Sequence, residues 1–304
     1  MLGDQEAQHR NEGLLATAYL DAGDIVPALE ILQRHLKDAR ATVNEENEMQ
    51  ALGNLGNAYH QLYEVAKAEE YYRQVLEIAQ RIGDERFKAQ ALGALGEAHD
   101  SRGEHRQATH MFRQRLALAR QTEDLRSEAR ALRELGSSSR RAGHPFRACV
   151  LLRCSLQIFE DLGDRNEQGN VLNALGIALA ELTDATGAKD CFARALVLAR
   201  EEEAPRLEAD VVGNLAKVAM NLEGDLERAL ELFKEQFEIA EGAGDKTNQA
   251  NASLDIATIH SMEDRLHEAI SYGRRASRLY EETGNARVGE ATECVQHWEA
   301  QRSS

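Results

Sequence analysis

Apolar residues along this chain recur three and four positions apart and not in alternation: Leu52, Leu55 and Tyr59 mark one face of a segment, and Tyr72, Leu76 and Ala79 one face of the next. That spacing follows the helical turn and predicts amphipathic helices. The pattern is periodic. Leu15, Leu55, Leu95, Leu135 and Leu175 stand 40 residues apart, and Leu215 and Ile256 extend the series by 40 and 41. The residue after each is small: Ala16, Gly56, Gly96, Gly136, Gly176, Ala216 and Ala257. Thirteen residues beyond each anchor stands an alanine (Ala28, Ala68, Ala108, Ala148, Ala188), displaced by one at Ala229 and Ala269 after an insertion near Glu223-Gly224-Asp225. A fixed period of this kind predicts a repeat architecture in which each repeat buries its apolar face against its neighbours.

Two helices approach closely only where small side chains face each other, so the Gly/Ala column and the Ala column are expected to form that contact. Between them lies a short break, with Gly23, Gly103 and Gly143 in three repeats and Thr183-Asp184 or Asp264 in others, which suits a tight turn. Each repeat is thus a helical hairpin. Gly83-Asp84, Gly163-Asp164, Gly244-Asp245 and Gly284-Asn285 supply a glycine stop and an Asp or Asn cap at the junctions between repeats. Pro27 and Pro145 fall in the first turn of a second helix and Pro205 just before a first helix, where proline is tolerated. The expected division is seven hairpins over residues 4–284 (4–43, 44–83, 84–123, 124–163, 164–203, 204–244, 245–284), then a capping helix and tail over 285–304. That last helix, from Ala286 to about Gln301, should turn Val288, Cys294, Val295 and Trp298 inward and leave Glu290, Glu293 and Arg302 in water.

Leu55-Gly56-x-x-Tyr59 followed by Ala68-x-x-x-Tyr72, with Ala108-x-x-x-Phe112, Ala188-x-x-x-Phe192 and Ala229-x-x-x-Phe233, resembles the tetratricopeptide signature over nearly the whole chain. The period is 40 where the commonest form has 34, and the proline that usually ends the second helix is missing. Gly53-Asn54-Leu55-Gly56-Asn57-Ala58-Tyr59 and the Gly-Asp junctions are similar to the Pins-type, Leu-Gly-Asn-repeat scaffolds, without their partner-binding tail motifs. The resemblance implies an all-α fold, a right-handed α-solenoid of about seven hairpins, and a concave wall of first helices that binds a partner polypeptide.

Composition agrees with the helical reading: 3 Pro and 5 % aromatic residues against 29 % charged ones suit helices better than strands. A net charge of −16 disfavours phosphate-backbone binding, so nucleic acid is not an expected partner. No apolar run reaches membrane-spanning length, and Met1 to Glu6 have neither the basic nor the apolar character of a secretion signal. Cys149, Cys154, Cys191 and Cys294 match no metal knuckle and are expected to be packed, reduced thiols in a reducing compartment, the cytoplasm, with association with the cytoskeleton following only if the chain is part of such an assembly.

Catalytic chemistry finds no support. Gly53-x-x-Gly56 and Gly93-x-x-Gly96 recur in helical register with no preceding strand, so they are packing positions and not phosphate loops. HExxH is missing, and His105 and His110 do not share a helical face. His99 and His260 occupy the column held by Tyr19 and Tyr59 and read as packed rings. No enzyme activity, cofactor or metal is expected.

What remains is the wall. The resemblance implies that groove positions include Gln50, Asn57, His60, Gln61, Gln90, Glu97, Asn170, Asn173, Lys217 and Asn251, mostly amides able to hydrogen-bond a peptide backbone, with simple solvation as the other reading. The fourth repeat differs: residues 126–147 hold six arginines against Glu128 and Glu134, a local charge of +6 − 2 = +4. Arg130, Arg133, Ser137, Arg140 and Arg141 share a helical face that the register points into the groove. Guanidinium forks bind carboxylates, so an acidic peptide or helix is expected to cross here; the alternative is an exposed Arg face paired with neighbouring acids. Ser137-Ser138-Ser139 replaces the usual aromatic and is a candidate for local looseness or phosphorylation. The expected function is a protein-interaction adaptor. The alternatives are an array built into a cytoskeletal or ciliary assembly, and a ligand-sensing regulatory module of a larger protein.

Overall fold

The linkers set the geometry. In a computed structural model that describes residues 13, 15–20 and 25–302, most helices are 17 residues long and are joined by turns of about three residues. Past residues 15–20, which are helical, the order is α1 (Ile25–Ala41), α2 (Glu45–Gln61), α3 (Val65–Ile82), α4 (Glu85–Ser101), α5 (His105–Gln121), α6 (Leu125–Arg141) and α7 (Pro145–Asp161). Then follow α8 (Arg165–Glu181), α9 (Ala185–Glu201), α10 (Pro205–Val218), α11 (Leu226–Gly242), α12 (Lys246–Met262), α13 (Leu266–Thr283) and α14 (Val288–Arg302). No strand occurs among the described residues. The residues read above as lacking a secretion signal and the Gly23 turn lie outside the described residues.

Each linker passes through the left-handed region, and it does so every 20 residues from position 43 to 203, so the 40-residue period is two equal halves. Glycine takes this conformation at Gly83, Gly103, Gly143 and Gly163; Val43, Tyr63, Glu123, Thr183, Glu203 and Asp264 adopt it with side chains, at roughly 1–2 kcal/mol each. The next residue caps the following helix at Asn44, Asp84 and Asp184. Asp84, Asp184 and Asp225 accept the backbone N–H three residues on, at 2.9 Å in each case, satisfying one of the donors that a helix start leaves unpaired. The insertion noted in the sequence is taken up as a π-helical turn, Ala219–Glu223, at the end of α10. There Asp225 N–H reaches back six residues to Ala219 O, where Asp84 and Asp245 reach back five. A wider turn absorbs one residue without disturbing the helices on either side.

The alanine column from Ala28 to Ala269 is fully buried, and the nearest atoms to the glycine column are aromatic rings of the second helix. A Cβ on Gly176 would fall 2.6 Å from the Phe192 ring, and Gly56 and Gly96 lie in the same way under Tyr72 and Phe112. Glycine in the first helix makes room for the aromatic ring of the second. Of the anchors, Leu55, Leu95, Leu135, Leu175 and Ile256 are buried, whereas Leu15 is 48 % exposed. In the capping helix Ala291, Val295 and Trp298 are buried, and Cys294 and Val288 pack partly against them. A Cβ on Gly273 would meet Val295 and Trp298 at 2.7 and 2.8 Å, so α14 closes directly onto α13.

The chain divides into two compact units, Met1–Ser138 and Ser139–Ser304, the division falling inside α6. Within each, successive helices pack on one another, and first helices also touch across repeats: α2 with α4 in the first unit, α8 with α10 and α10 with α12 in the second. First helices therefore form the inner wall of each unit. The fold is all-α, of the α-solenoid class.

Candidate functional site

In the first unit, α2 and α4 present an amide row. Gln50 donates to Asn54 Oδ1 at 3.2 Å, Tyr72 Oη donates to Asn57 Oδ1 at 2.8 Å, and His60 Nε2 lies 3.2 Å from Ser101 Oγ. Gln50, Asn57, Gln90 and Glu97 are exposed. Between the two helices is a cavity of about 310 Å³ with Met49, Val75, Phe87 and Ala91 beneath it and Gln50, Asn54, Asn57, Gln90 and Glu97 around its mouth. One end is closed by Arg115.

Sequence reasoning missed Arg115 because it belongs to a second helix, α5. It reaches the wall across Gly93, where a Cβ would lie 2.5 Å from its Nη1. Its guanidinium pairs with Glu134 of α6, the two side chains being 12 % and 7 % exposed. Burial pushes the Glu134 carboxyl above its ordinary range, and Arg115 opposes that shift. A second cavity, of about 500 Å³, shares Gln90 and Arg115 and adds Arg86, Arg126 and Arg130 against Glu85 and Asp124. Arg86 is also bonded to Glu46 at 3.0 Å and stacks on Phe87 at 4.5 Å.

In the second unit the wall side chains are bonded to one another. Asn173 Oδ1 accepts from Asn214 at 2.9 Å, and Asn248 Nδ2 donates to Asp210 at 3.0 Å. Asn251 Oδ1 accepts from Tyr280 Oη and from Arg287 Nη1, each at 2.7 Å. Lys217 Nζ lies 3.9 Å from Asp255. Asn170 is exposed beside a cavity of about 400 Å³ formed with Asn166, Pro205, Arg206 and Leu207. The amides expected to be available for a peptide are thus partly engaged already: Asn57, Asn173 and Asn251 have each committed a carbonyl oxygen, whereas Gln50, Gln61, Gln90 and Asn170 are exposed and Gln50 is engaged only as a donor.

The four arginines all lie on α6. Arg130 and Arg133 belong to the first unit and are half-buried, while Arg140 and Arg141 belong to the second. Arg140 Nη1 bonds Glu181 Oε1 at 2.6 Å and Arg141 is exposed. Ser138 and Ser139 are buried inside an unbroken helix, and Ser138 Oγ donates to Asp100 at 3.1 Å, so neither is loose or accessible to a kinase.

His260 is a packed ring, stacked on Tyr272 at 5.6 Å as Tyr59 is on Tyr71 at 5.5 Å. His99 departs from that reading: its Nδ1 lies 2.7 Å from Glu104 and its Nε2 3.6 Å from Glu69, making it part of a polar cluster. Cys149 and Cys191 are buried, but Cys154 is exposed, which corrects the expectation of four packed thiols. Among the described residues no group of three or more His, Cys, Asp or Glu could hold a metal ion, and no helix is long and apolar enough to cross a membrane.

Antiparallel helix pairs stacked with their first helices inward define a helical-repeat protein. Residues 47–121 and 207–282 match the tetratricopeptide repeat family, and the chain belongs to it. No curated protein sequence matches the chain. Among solved structures it is similar to a Rap protein complexed with competence and sporulation factor, at 15 % identity over 91 % of this chain and 76 % of that one, TM-score 0.73. The apo form of RapI is similar at 13 % identity over 90 % and 99 %, TM-score 0.71. A tetratricopeptide repeat protein from Parabacteroides merdae follows at 15 % identity over 96 % and 98 %, TM-score 0.63. At these identities the likeness is one of fold.

Proposed function

We propose that the chain is a non-catalytic interaction scaffold that holds a segment of a partner polypeptide along its walls of first helices, with acidic side chains where the segment passes Arg130. The observation that carries this reading is the first-unit wall itself: neighbouring cavities between α2, α4 and α6, rimmed by exposed amides and flanked by Arg86, Arg126 and Arg130. Amides serve a peptide backbone without regard to its side chains, and guanidinium groups favour carboxylates. A Rap protein of similar fold takes competence and sporulation factor, which supports a binding role for such walls. Four free cysteines fit a reducing compartment, and we place the scaffold in the cytoplasm.

The test is selection of binders from a random-peptide display library on the intact chain. Acid-rich peptides should emerge, and Arg130→Glu should weaken them about tenfold, an effect that fades in high salt. Acid-poor binders, or acid-rich ones indifferent to Arg130→Glu, would refute the acidic assignment.

A further inference from the structure

Beyond the first repeat, where Gly13 likewise has nothing within 4 Å of a Cβ, the wall position two residues before each anchor is filled in one of two ways. Asn173 projects from the first helix where the second helix, 22 residues on, has the small Ala195. Elsewhere the first helix has glycine and a long polar side chain crosses it from the second: Arg115 over Gly93, and Gln236 over Gly213 at 2.6 Å. Gly53 follows neither rule. Its counterpart is Val75, too short to cross, and nothing lies within 4 Å of where a Cβ on Gly53 would stand. Both fillers are missing from the same place, and the space left is part of the cavity of about 310 Å³.

We propose that this hollow beside Gly53 is a binding site for an aromatic side chain of the partner segment, an inference that rests on the proposed peptide-binding wall and adds its specificity. Size permits it, since an engineered cavity of about 150 Å³ already admits benzene. The surfaces select it. Met49, Val75, Phe87 and Ala91 are buried side chains of the floor, which favour an apolar group and give it a thioether and a ring edge as neighbours. At one end stands the Arg115 guanidinium, held by Glu134, its Nε buried without a hydrogen-bond partner. A planar cation so placed attracts the face of a ring and repels an inserted lysine. A carboxylate is disfavoured by Glu97 at the mouth and by the apolar floor. Around the ring, Gln50, Asn54 and Gln90 stand where the peptide backbone passes.

The substitution that tests this fills the hollow without disturbing the fold, because a side chain at Gly53 meets open space. Peptides selected on the wild-type chain from a random display library are titrated against Gly53→Leu and Gly53→Ala, with circular dichroism confirming that both variants fold. The expected result is an aromatic residue at one fixed position of the selected peptides, affinity for Gly53→Ala within about threefold of wild type, and a loss of about 30-fold or more in Gly53→Leu. Peptides without a fixed aromatic, or with equal affinity for Gly53→Leu and wild type, would overturn the assignment and leave the peptide-binding wall standing. Failure to select any peptide on the wild-type chain would remove both.

Discussion

Gly53 and Gly56 lie three residues apart on α2, and replacing each by alanine should move stability in opposite directions. Both changes gain about 1 kcal/mol from helix propensity, so that contribution cancels between them. At Gly53 nothing opposes it, and Gly53→Ala should be more stable than wild type by about 1 kcal/mol. At Gly56 the new Cβ falls 2.7 Å from Cδ1 and 2.9 Å from Cζ of Tyr72, and nearer still to Cε1. The ring is 4 % exposed and is pinned at its far end by the 2.8 Å bond from Oη to Asn57. It has no room to withdraw without releasing that bond. Overpacking of this kind costs about 1–3 kcal/mol, and a lost hydrogen bond about 1 more. The two variants should therefore differ by about 2–4 kcal/mol. Urea unfolding followed by circular dichroism reads the difference, provided the slope m is unchanged. A Gly56→Ala chain as stable as Gly53→Ala would refute the ring-on-glycine packing and everything inferred from it about the repeat interior.

Three further outcomes are expected. Thr183 is β-branched in the left-handed region at φ 61°; Thr183→Gly should raise stability by about 0.5–1 kcal/mol in urea melts, the relieved strain exceeding the entropy that glycine loses on folding. Asp84→Ala removes the cap on Phe87 N–H and should lower stability by about 1 kcal/mol in the same measurement. Burial raises the Asp255 carboxyl above its ordinary 3.8, with Lys217 and Arg287 opposing; the folded chain then holds that proton more tightly than the unfolded one, so ionised Asp255 detracts from stability as pH rises above 3.8. Asp255→Asn should accordingly be more stable than wild type at pH 7, and the gain should vanish toward pH 3.8; a gain that persists or grows in acid refutes the sign.

Much of the fold is legible because the repeat leaves its contacts as columns. The anchor leucines and the Ala28-to-Ala269 column mark buried positions without any coordinate, since a core made by stacking like on like must use like residues. The insertion at Glu223-Gly224-Asp225 was visible as a 41-residue step, but not that a π turn would absorb it. The linkers were legible only in part: glycine announces the left-handed residue at Gly83 or Gly163, whereas Val43, Tyr63 and Glu203 adopt the same conformation with no local signature. Tertiary packing of the flanking helices imposes it there against the residue's preference. That the rings of Tyr72, Phe112 and Phe192 would lie over Gly56, Gly96 and Gly176 was not foreseen, because a glycine column records missing volume and not what occupies it.

That same ambiguity governs the site. The family resemblance, counted from the anchors, assigned Gln50, Asn57, Gln90 and Asn173 to the groove. It did not disclose that Asn57, Asn173 and Asn251 would accept bonds from Tyr72, Asn214, Tyr280 and Arg287, because those partners depend on which side chains from neighbouring helices come within reach. Arg115 was invisible for a related reason: its path to the wall exists only because Gly93 is bare. Reading the two columns together, 22 residues apart and 23 across the insertion, recovers what neither shows alone. Where glycine faces a long side chain the wall is closed, where a large side chain stands opposite alanine it is closed again, and where Gly53 stands opposite Val75 it is open. Specificity in a repeat array thus sits at the repeat that breaks the compensation, and the Gly53→Leu and Gly53→Ala comparison measures it directly: one restores the missing volume, the other does not.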